Sequence, residues 1–177
     1  MNIIVAGGSG FLGKALLTTL ADADHSLVLL SRNPEAARIQ VPRSVQVEQW
    51  DAKTVGSWAN HVEKADAVIN LTGESIGGKR WSAQQKEIIL SSRIDSTRAV
   101  VEAMRQATHR PKVLVNQSAV GYYGNVEMGN VAEDHPRGSD FLGEVASLWE
   151  EEARKAEPLG VRVVTPRTGI VLDKHGG

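Results

Sequence analysis

The segment Gly7-Gly-Ser-Gly-Phe-Leu-Gly13 constrains this chain more than any other. It follows a short apolar run, Ile3–Ala6, and leads into a stretch where Leu12, Ala15, Leu16 and Leu20 share one helical face. A strand that turns through glycines into a helix makes an anion-binding corner. The helix N-terminus offers unpaired N–H groups and the positive end of its dipole. Three phosphate-binding spacings overlap here. Gly8, Gly10 and Gly13 spell G-x-G-x-x-G, and Gly7, Gly10 and Gly13 spell G-x-x-G-x-x-G. Gly8, Gly13 and Lys14 approach G-x-x-x-x-G-K-[ST], but that pattern needs a hydroxyl after its Lys to hold Mg2+, and the residue is Ala15. The dinucleotide pattern has its context, a strand before and a helix after. In that pattern Gly7 or Gly8 allows the tight turn, Gly10 lets backbone approach a pyrophosphate, and Gly13 lets the helix pack on the strand. A glycine-rich turn without a ligand is the plainer alternative.

The rest of the chain repeats the alternation. Ser26–Leu30, Val45–Trp50, Ala67–Leu71, Val113–Gln117 and Val161–Val164 read as further strands. Ser82 and Gln85 form a capping-box pair opening a helix that runs to about Ala107. One face of that helix, Ser92, Ser96, Ala99 and Ala103, is small. It suits close packing on the chain's own sheet or a homodimer contact. Phe141, Val145, Leu148 and Trp149 mark another helix, ending near Gly160. Strand–helix alternation with apolar, non-alternating strands predicts an α/β fold: a doubly wound parallel sheet, three layers deep, of the NAD(P)-binding Rossmann kind. With 177 residues, 41% of them hydrophobic, one domain over 1–177 is expected. A net charge of -1 gives no global field for nucleic acid or an anionic membrane, and no apolar run is long enough to span one. The chain has no Cys, which removes thiolate catalysis and thiolate metal sites and fits a cytoplasmic protein. The five His, with His109, His135 and His175 in expected loops, show no metal-ligand spacing, so no metal is assigned.

In a doubly wound sheet, cofactor specificity sits at the end of strand two. An acid there would bind a ribose 2′-hydroxyl. This chain has Ser31-Arg32-Asn33, and a guanidinium beside a hydroxyl suits a 2′-phosphate, favouring NADP over NAD. A solvated surface Arg is the alternative. Asp51, after strand three, could accept from an adenine amine or could serve only its own turn. Asn70–Glu74 and Ser118–Gly124 follow strands four and five, and so face the same crevice.

These motifs together resemble the short-chain dehydrogenase/reductases of the extended, sugar-nucleotide epimerase type. The opening GGSGFLG, with Phe11 and Leu12, looks like their cofactor loop, NLTGE like their strand-four motif and SAVGYYG like their serine-bearing motif. NLTGESIGGKRW, SSRIDSTR, SAVGYYG and the FL…WEEEA helix are similar, more narrowly, to an atypical epimerase-like family of bacterial proteins with eukaryotic relatives. The resemblance implies that Gly7, Gly10 and Gly13 cradle the pyrophosphate and that Arg32 sets NADP preference. It also implies that Leu71, Thr72 and Gly73 line the nicotinamide side and that Ser118 polarises the substrate. It further implies a C-terminal substrate region largely beyond Gly177, so a truncated chain is expected.

One departure concerns the chemistry. The superfamily uses a Tyr with a Lys four residues later, and no Tyr-x-x-x-Lys occurs here. Val126 and Glu127 stand four residues after Tyr122 and Tyr123, the only tyrosines. Three readings remain open. Tyr122 or Tyr123 acts as acid/base with Ser118, though Tyr123 could equally pack its loop. Glu74 or Glu133 moves the proton. Or the chain binds NADP(H) without turnover, as a regulatory or interaction module. The first two imply an oxidoreductase or epimerase acting on a small molecule, a sugar nucleotide or similar hydroxyl substrate. Lys79, Arg80 and Trp81 could hold a phosphate and stack a base, or form a solvated pair beside a helix anchor. Arg93 could hold a carboxylate or phosphate if it faces the crevice, and a surface ion pair otherwise.

Overall fold

A computed structural model describes residues 1–173, so the last four residues, His175 among them, lie outside the described part. Six parallel strands form the main sheet: β1 (Asn2–Ala6), β2 (Ser26–Ser31), β3 (Gln46–Gln49), β4 (Ala67–Asn70), β5 (Val113–Asn116) and, after a two-residue β6 (Ser118–Ala119), β7 (Arg162–Val164). Their order is β3-β2-β1-β4-β5-β7. The chain winds outward one way from β1 to β3 and then restarts at β4 on the other side. The carboxyl ends of β1 and β4 therefore flank the topological switch point, where such sheets bind ligands. Ala6 pairs with Leu30 on one side and Asn70 on the other, so both neighbouring strands end level with the glycine loop.

The two faces of the sheet follow from alternation along each strand. Ile3 and Val5 point to the layer of α1 (Phe11–Asp22) and α2 (Pro34–Arg38), packing with Leu17, Leu27, Leu29 and Ala37. Ile4 and Ala6 point to the layer of α3 (Ala83–Gln106) and α4 (Phe141–Arg154), packing with Trp58, Val68, Val100, Met104, Leu114 and Ala153. Both faces are covered, which is why these strands are apolar at consecutive positions. The small face of α3 is used inside the chain. Ser96, Ala99 and Ala103 are buried, and α3 packs closely on α4 and the sheet.

Ser82 caps α3 by accepting from the Gln85 amide at 3.2 Å, but the Gln85 side chain turns instead toward Glu74 (3.4 Å). Half of the expected capping box therefore forms. The helix α4 ends at Arg154, earlier than expected, and a 3-10 turn over Glu157–Leu159 carries the chain to Gly160, whose φ is +83°. Short elements add to the order expected from the sequence. The helix α2 is too short to show a period, although Asn33 caps it through the Ala36 amide and Pro34 begins it. A two-stranded sheet pairs β6 with β8 (Arg167–Thr168), a contact between segments remote in sequence.

Candidate cofactor groove and the ionic cluster beside it

The glycine loop is shaped by its neighbours. Gly7 has φ +77°, and a Cβ there would lie 2.8 Å from the backbone carbonyl carbon of Leu71. Close passage of the strand-four loop and the turn itself both demand glycine. A Cβ on Gly13 would meet the Gly8 Cα at 2.4 Å, so this glycine lets α1 press against the loop. Gly10 is different. Its backbone, at φ -76° and ψ 179°, suits any residue, and among the described residues, its chain neighbours aside, an added Cβ would meet within 4 Å only the Gly7 carbonyl oxygen, at 3.3 Å. Gly10 also gives α1 no side-chain cap, and among the described residues the amides of Phe11, Leu12 and Gly13 have no acceptor. Three N–H groups at the start of α1 are thus left unpaired beside Gly10, the donor set that a helix N-terminus offers to an anion.

That corner opens into a groove of about 250 Å3 at the carboxyl ends of β1, β2, β3 and β4. Gly7, Gly10, Ser31, Arg32, Asp51, Leu71, Thr72 and Gly73, all singled out from the sequence, line it together. Ser9, Lys53, Glu74 and Ser92 line it too. Phe11 is exposed beside the loop and Leu12 half-buried. Arg32 is exposed, and among the described residues it pairs with no acid. Ser31 is buried, and its hydroxyl accepts from the Asn33 amide at 3.2 Å, tying Arg32 into a short turn. The Asp51 carboxylate is occupied by its own turn. Its Oδ1 accepts from the Lys53 and Thr54 amides, both at 2.8 Å, and its Oδ2 from the Thr54 hydroxyl at 2.7 Å. The Thr54 backbone bond above all holds this carboxyl below its ordinary pKa. A larger depression of about 540 Å3 lies at the opposite, amino ends of β1 and β2, away from the glycine loop.

Behind the groove lies a buried polar network. Asn70 donates to Asn116 at 2.7 Å and to Thr97 at 3.0 Å; the Thr72 hydroxyl reaches Asn70 and Ser96, each at 2.6 Å. The Trp149 indole donates to Thr97 at 2.9 Å and so locks α4 to α3. This network fixes the strand-four loop where Leu71 and Thr72 meet the glycines.

The residues expected to carry chemistry gather elsewhere, around an ion pair that the sequence reading missed. Glu150, on α4, is 1% exposed. Arg167, on β8, grips it with two parallel bonds, Nε to Oε1 at 2.8 Å and Nη2 to Oε2 at 3.0 Å. Burial pushes the Glu150 carboxyl up, but the bonds from Arg167 and Ser118 and the charges of Arg167 and Arg154 outweigh it and hold the group below its ordinary value. Ser118 is itself 1% exposed, and its hydroxyl donates to Glu150 at 2.7 Å. In this arrangement its proton serves the carboxylate and is not free to polarise a substrate oxygen. By strand alternation Gln117 and Ala119 point the other way and are half-buried. Arg167 also donates from Nη1 to the Tyr123 hydroxyl at 2.7 Å and to the Glu133 carbonyl at 3.0 Å, and stacks on the Tyr122 ring, with Cζ 3.4 Å from the centroid. Tyr122 and Tyr123 thus meet one cation side by side, as parts of the packing of their loop. No local pattern could have found this pair. Glu150 stands in a run of three glutamates on α4, and Arg167 follows a proline.

The other candidates lie in or beside the loop between β4 and α3. Lys79 reaches Glu74 at 3.5 Å. Trp81 donates to the Ile76 carbonyl at 2.7 Å and meets Phe141 edge-on, so it anchors the loop before α3. Arg93 faces inward beside Gly73. Among the described residues no three His, Asp or Glu side chains converge as metal ligands, and no helix is long and apolar enough to cross a membrane.

The strand order, a glycine loop at the first strand–helix turn and a groove at the switch point define a dinucleotide-binding protein of the Rossmann class. The sequence profile of the NAD dependent epimerase/dehydratase family matches residues 3–141. The chain belongs to that family. It is 38% identical to epimerase family protein YfhF of Bacillus subtilis over 177 residues, 99% of this chain and 57% of that protein. It is 39% identical to the chloroplastic SDR39U1 homolog of Arabidopsis thaliana over 184 residues, all of this chain and 51% of that one. It therefore spans a little over half the length of these relatives. Among solved structures, human epimerase family protein SDR39U1 with NADPH superposes with a TM-score of 0.80 at 31% identity, covering 100% of this chain and 56% of that one. The nucleoside-diphosphate sugar epimerase of Corynebacterium glutamicum gives 0.80 at 28%, covering 100% and 35%.

Proposed function

We propose that this chain is the NADP(H)-binding part of an oxidoreductase or epimerase that acts on a hydroxyl-bearing small molecule, with a sugar nucleotide as the substrate class. The observation that carries this reading is the corner at Gly10, which lines one groove with Ser31 and Arg32 and is followed by three unpaired amides at the start of α1. The relatives support it: the human SDR39U1 structure holds NADPH, and the Corynebacterium protein is described as a nucleoside-diphosphate sugar epimerase. In this reading Gly7, Gly10, Phe11, Leu12 and Gly13 take the pyrophosphate, and Ser31 and Arg32 the 2′-phosphate. Asp51 shapes the adenine rim through its turn, and Leu71, Thr72 and Gly73 bound the nicotinamide side. The bound cofactor supplies the hydride. Low charge and the absence of Cys suit a cytoplasmic setting. Titration with NADPH and NADH by nicotinamide fluorescence tests the reading. NADPH binds and NADH binds weakly. Arg32→Ala weakens NADPH by about 10–100-fold, the worth of one or two charge-assisted bonds, and leaves NADH nearly unchanged. An equal loss for both cofactors, or none, rejects the role given to Arg32.

A second reading has its own observation. The Ser118 and Tyr123 hydroxyls are both engaged by the Glu150–Arg167 pair, and the chain has no Tyr-x-x-x-Lys. A protein so arranged could bind NADP(H) as a regulatory or interaction module. Tyr123→Phe separates the two once a substrate is found. If Tyr123 moves the proton, turnover falls by about 100-fold or more with NADPH affinity kept. Unchanged turnover removes Tyr123 from the chemistry.

A further inference from the structure

The guanidinium of Arg93 is fixed on several sides and open along one edge. Its Nη1 donates to the Ile89 carbonyl at 2.9 Å and to the Glu74 carbonyl at 3.1 Å. Its Cζ lies 5.0 Å from the centroid of the Trp149 ring. Gly73 packs so closely that a Cβ there would be 3.0 Å from the same carbon. Yet no carboxylate pairs with it among the described residues. The nearby Glu74 carboxylate instead reaches Lys79 and Gln85. Burial pulls the Arg93 pKa down, opposed by the charge of Glu74. A half-buried cation without an acid costs stability, and bracing two carbonyls does not require one.

The remaining nitrogens, Nε and Nη2, have no acceptor among the described residues. Among the described residues no buried side-chain nitrogen lacks a hydrogen-bond partner, so both of these are in contact with solvent. Their N–H bonds run parallel, and this is the edge that grips two oxygens of a carboxylate or phosphate. Arg93 packs on Gly73 and donates to the Glu74 carbonyl, and both of those residues line the β4 end of the groove. The amides that suit a pyrophosphate belong to α1, on the other side of that loop.

We propose that Arg93 binds an anionic group of the substrate, a carboxylate or phosphate, through its Nε–Nη2 edge. The word substrate rests on the cofactor reading above; the anion site itself does not. The test is the Nε–H resonance of Arg93 in a 1H–15N spectrum, assigned through bonds on the unmodified chain. The protein is titrated with inorganic phosphate and with acetate, free and saturated with NADPH. The Arg93 signal shifts saturably with at least one anion in both states, while the exposed arginines do not. Arg93→Lys, which keeps the charge but not the fork, weakens that anion by at least about tenfold and leaves NADPH affinity unchanged. An Arg93 signal that moves with neither anion overturns the proposal. A response that disappears once NADPH is bound assigns the edge to the cofactor's own phosphates and overturns the substrate assignment. If NADPH does not bind at all, the proposed function fails, and the titration of the free protein still decides whether Arg93 is an anion site.

Discussion

Gly10→Ala folds as the parent does and binds NADPH at least about tenfold more weakly. Both halves of that result come from one geometry. The Gly10 backbone is extended, not left-handed, and among the described residues, its chain neighbours aside, an added methyl meets only the Gly7 carbonyl oxygen, at 3.3 Å. The folded state therefore loses little, within about 1 kcal/mol. The methyl does enter the corner where the Phe11, Leu12 and Gly13 amides are left without acceptors. Gly7→Ala is the contrasting case. Its φ of +77° and the Leu71 backbone 2.8 Å from the new Cβ are both costs to folding. We expect a loss of roughly 2–4 kcal/mol in urea denaturation, whether or not NADPH is present. If Gly10→Ala destabilises the fold as much as Gly7→Ala, or leaves NADPH affinity untouched, the corner is a structural turn and not a cofactor cradle.

Glu150→Ala should be the most destabilising of the side-chain truncations, at about 3–5 kcal/mol, because it leaves the Arg167 cation without its acid in a largely buried site. Removing both partners with apolar residues, Glu150→Leu with Arg167→Met, should cost less than Glu150→Ala alone, since no charge is then stranded. Equilibrium denaturation of the set checks the order. The same pair makes stability fall in acid. The folded Glu150 carboxyl is held below its ordinary value, so on acidification the unfolded chain takes up the proton first. The stabilisation is complete above the unfolded value of about 4.3 and disappears as the pH falls through the lower folded value. Glu150→Gln removes that part of the acid dependence. An acid transition of the same depth in Glu150→Gln places the sensitivity on other carboxylates.

The legible parts of the molecule are those whose cause is local. β1, the glycine loop and α1 occupy consecutive residues, and each signal acts within a few positions of the next: apolar residues, then glycines, then a helical period. The parallel sheet is legible for the same reason. Strands covered on both faces must be apolar at consecutive positions, as Ile3 to Ala6 are. Because such a sheet binds at its carboxyl ends, Ser31, Arg32, Asp51 and Leu71–Gly73 could be gathered around one groove from their order alone.

Other features exist only through contacts that sequence order does not announce. Arg167 reaches Glu150 across 17 residues and Tyr123 across 44, and Ser118 reaches Glu150 across 32. Until β6 pairs with β8, nothing separates Glu150 from Glu151 and Glu152, and Ser118 reads as an open hydroxyl beside a crevice. Arg93 likewise could have been a surface charge until α3 and α4 closed on it and left one edge free. Element order, the sheet and the glycine turn follow from residues close together in the chain, because periodicity and backbone freedom are properties of neighbouring residues. The tertiary structure alone decided which hydroxyls, acids and cations meet, because burial and pairing are set by residues that only the fold brings together.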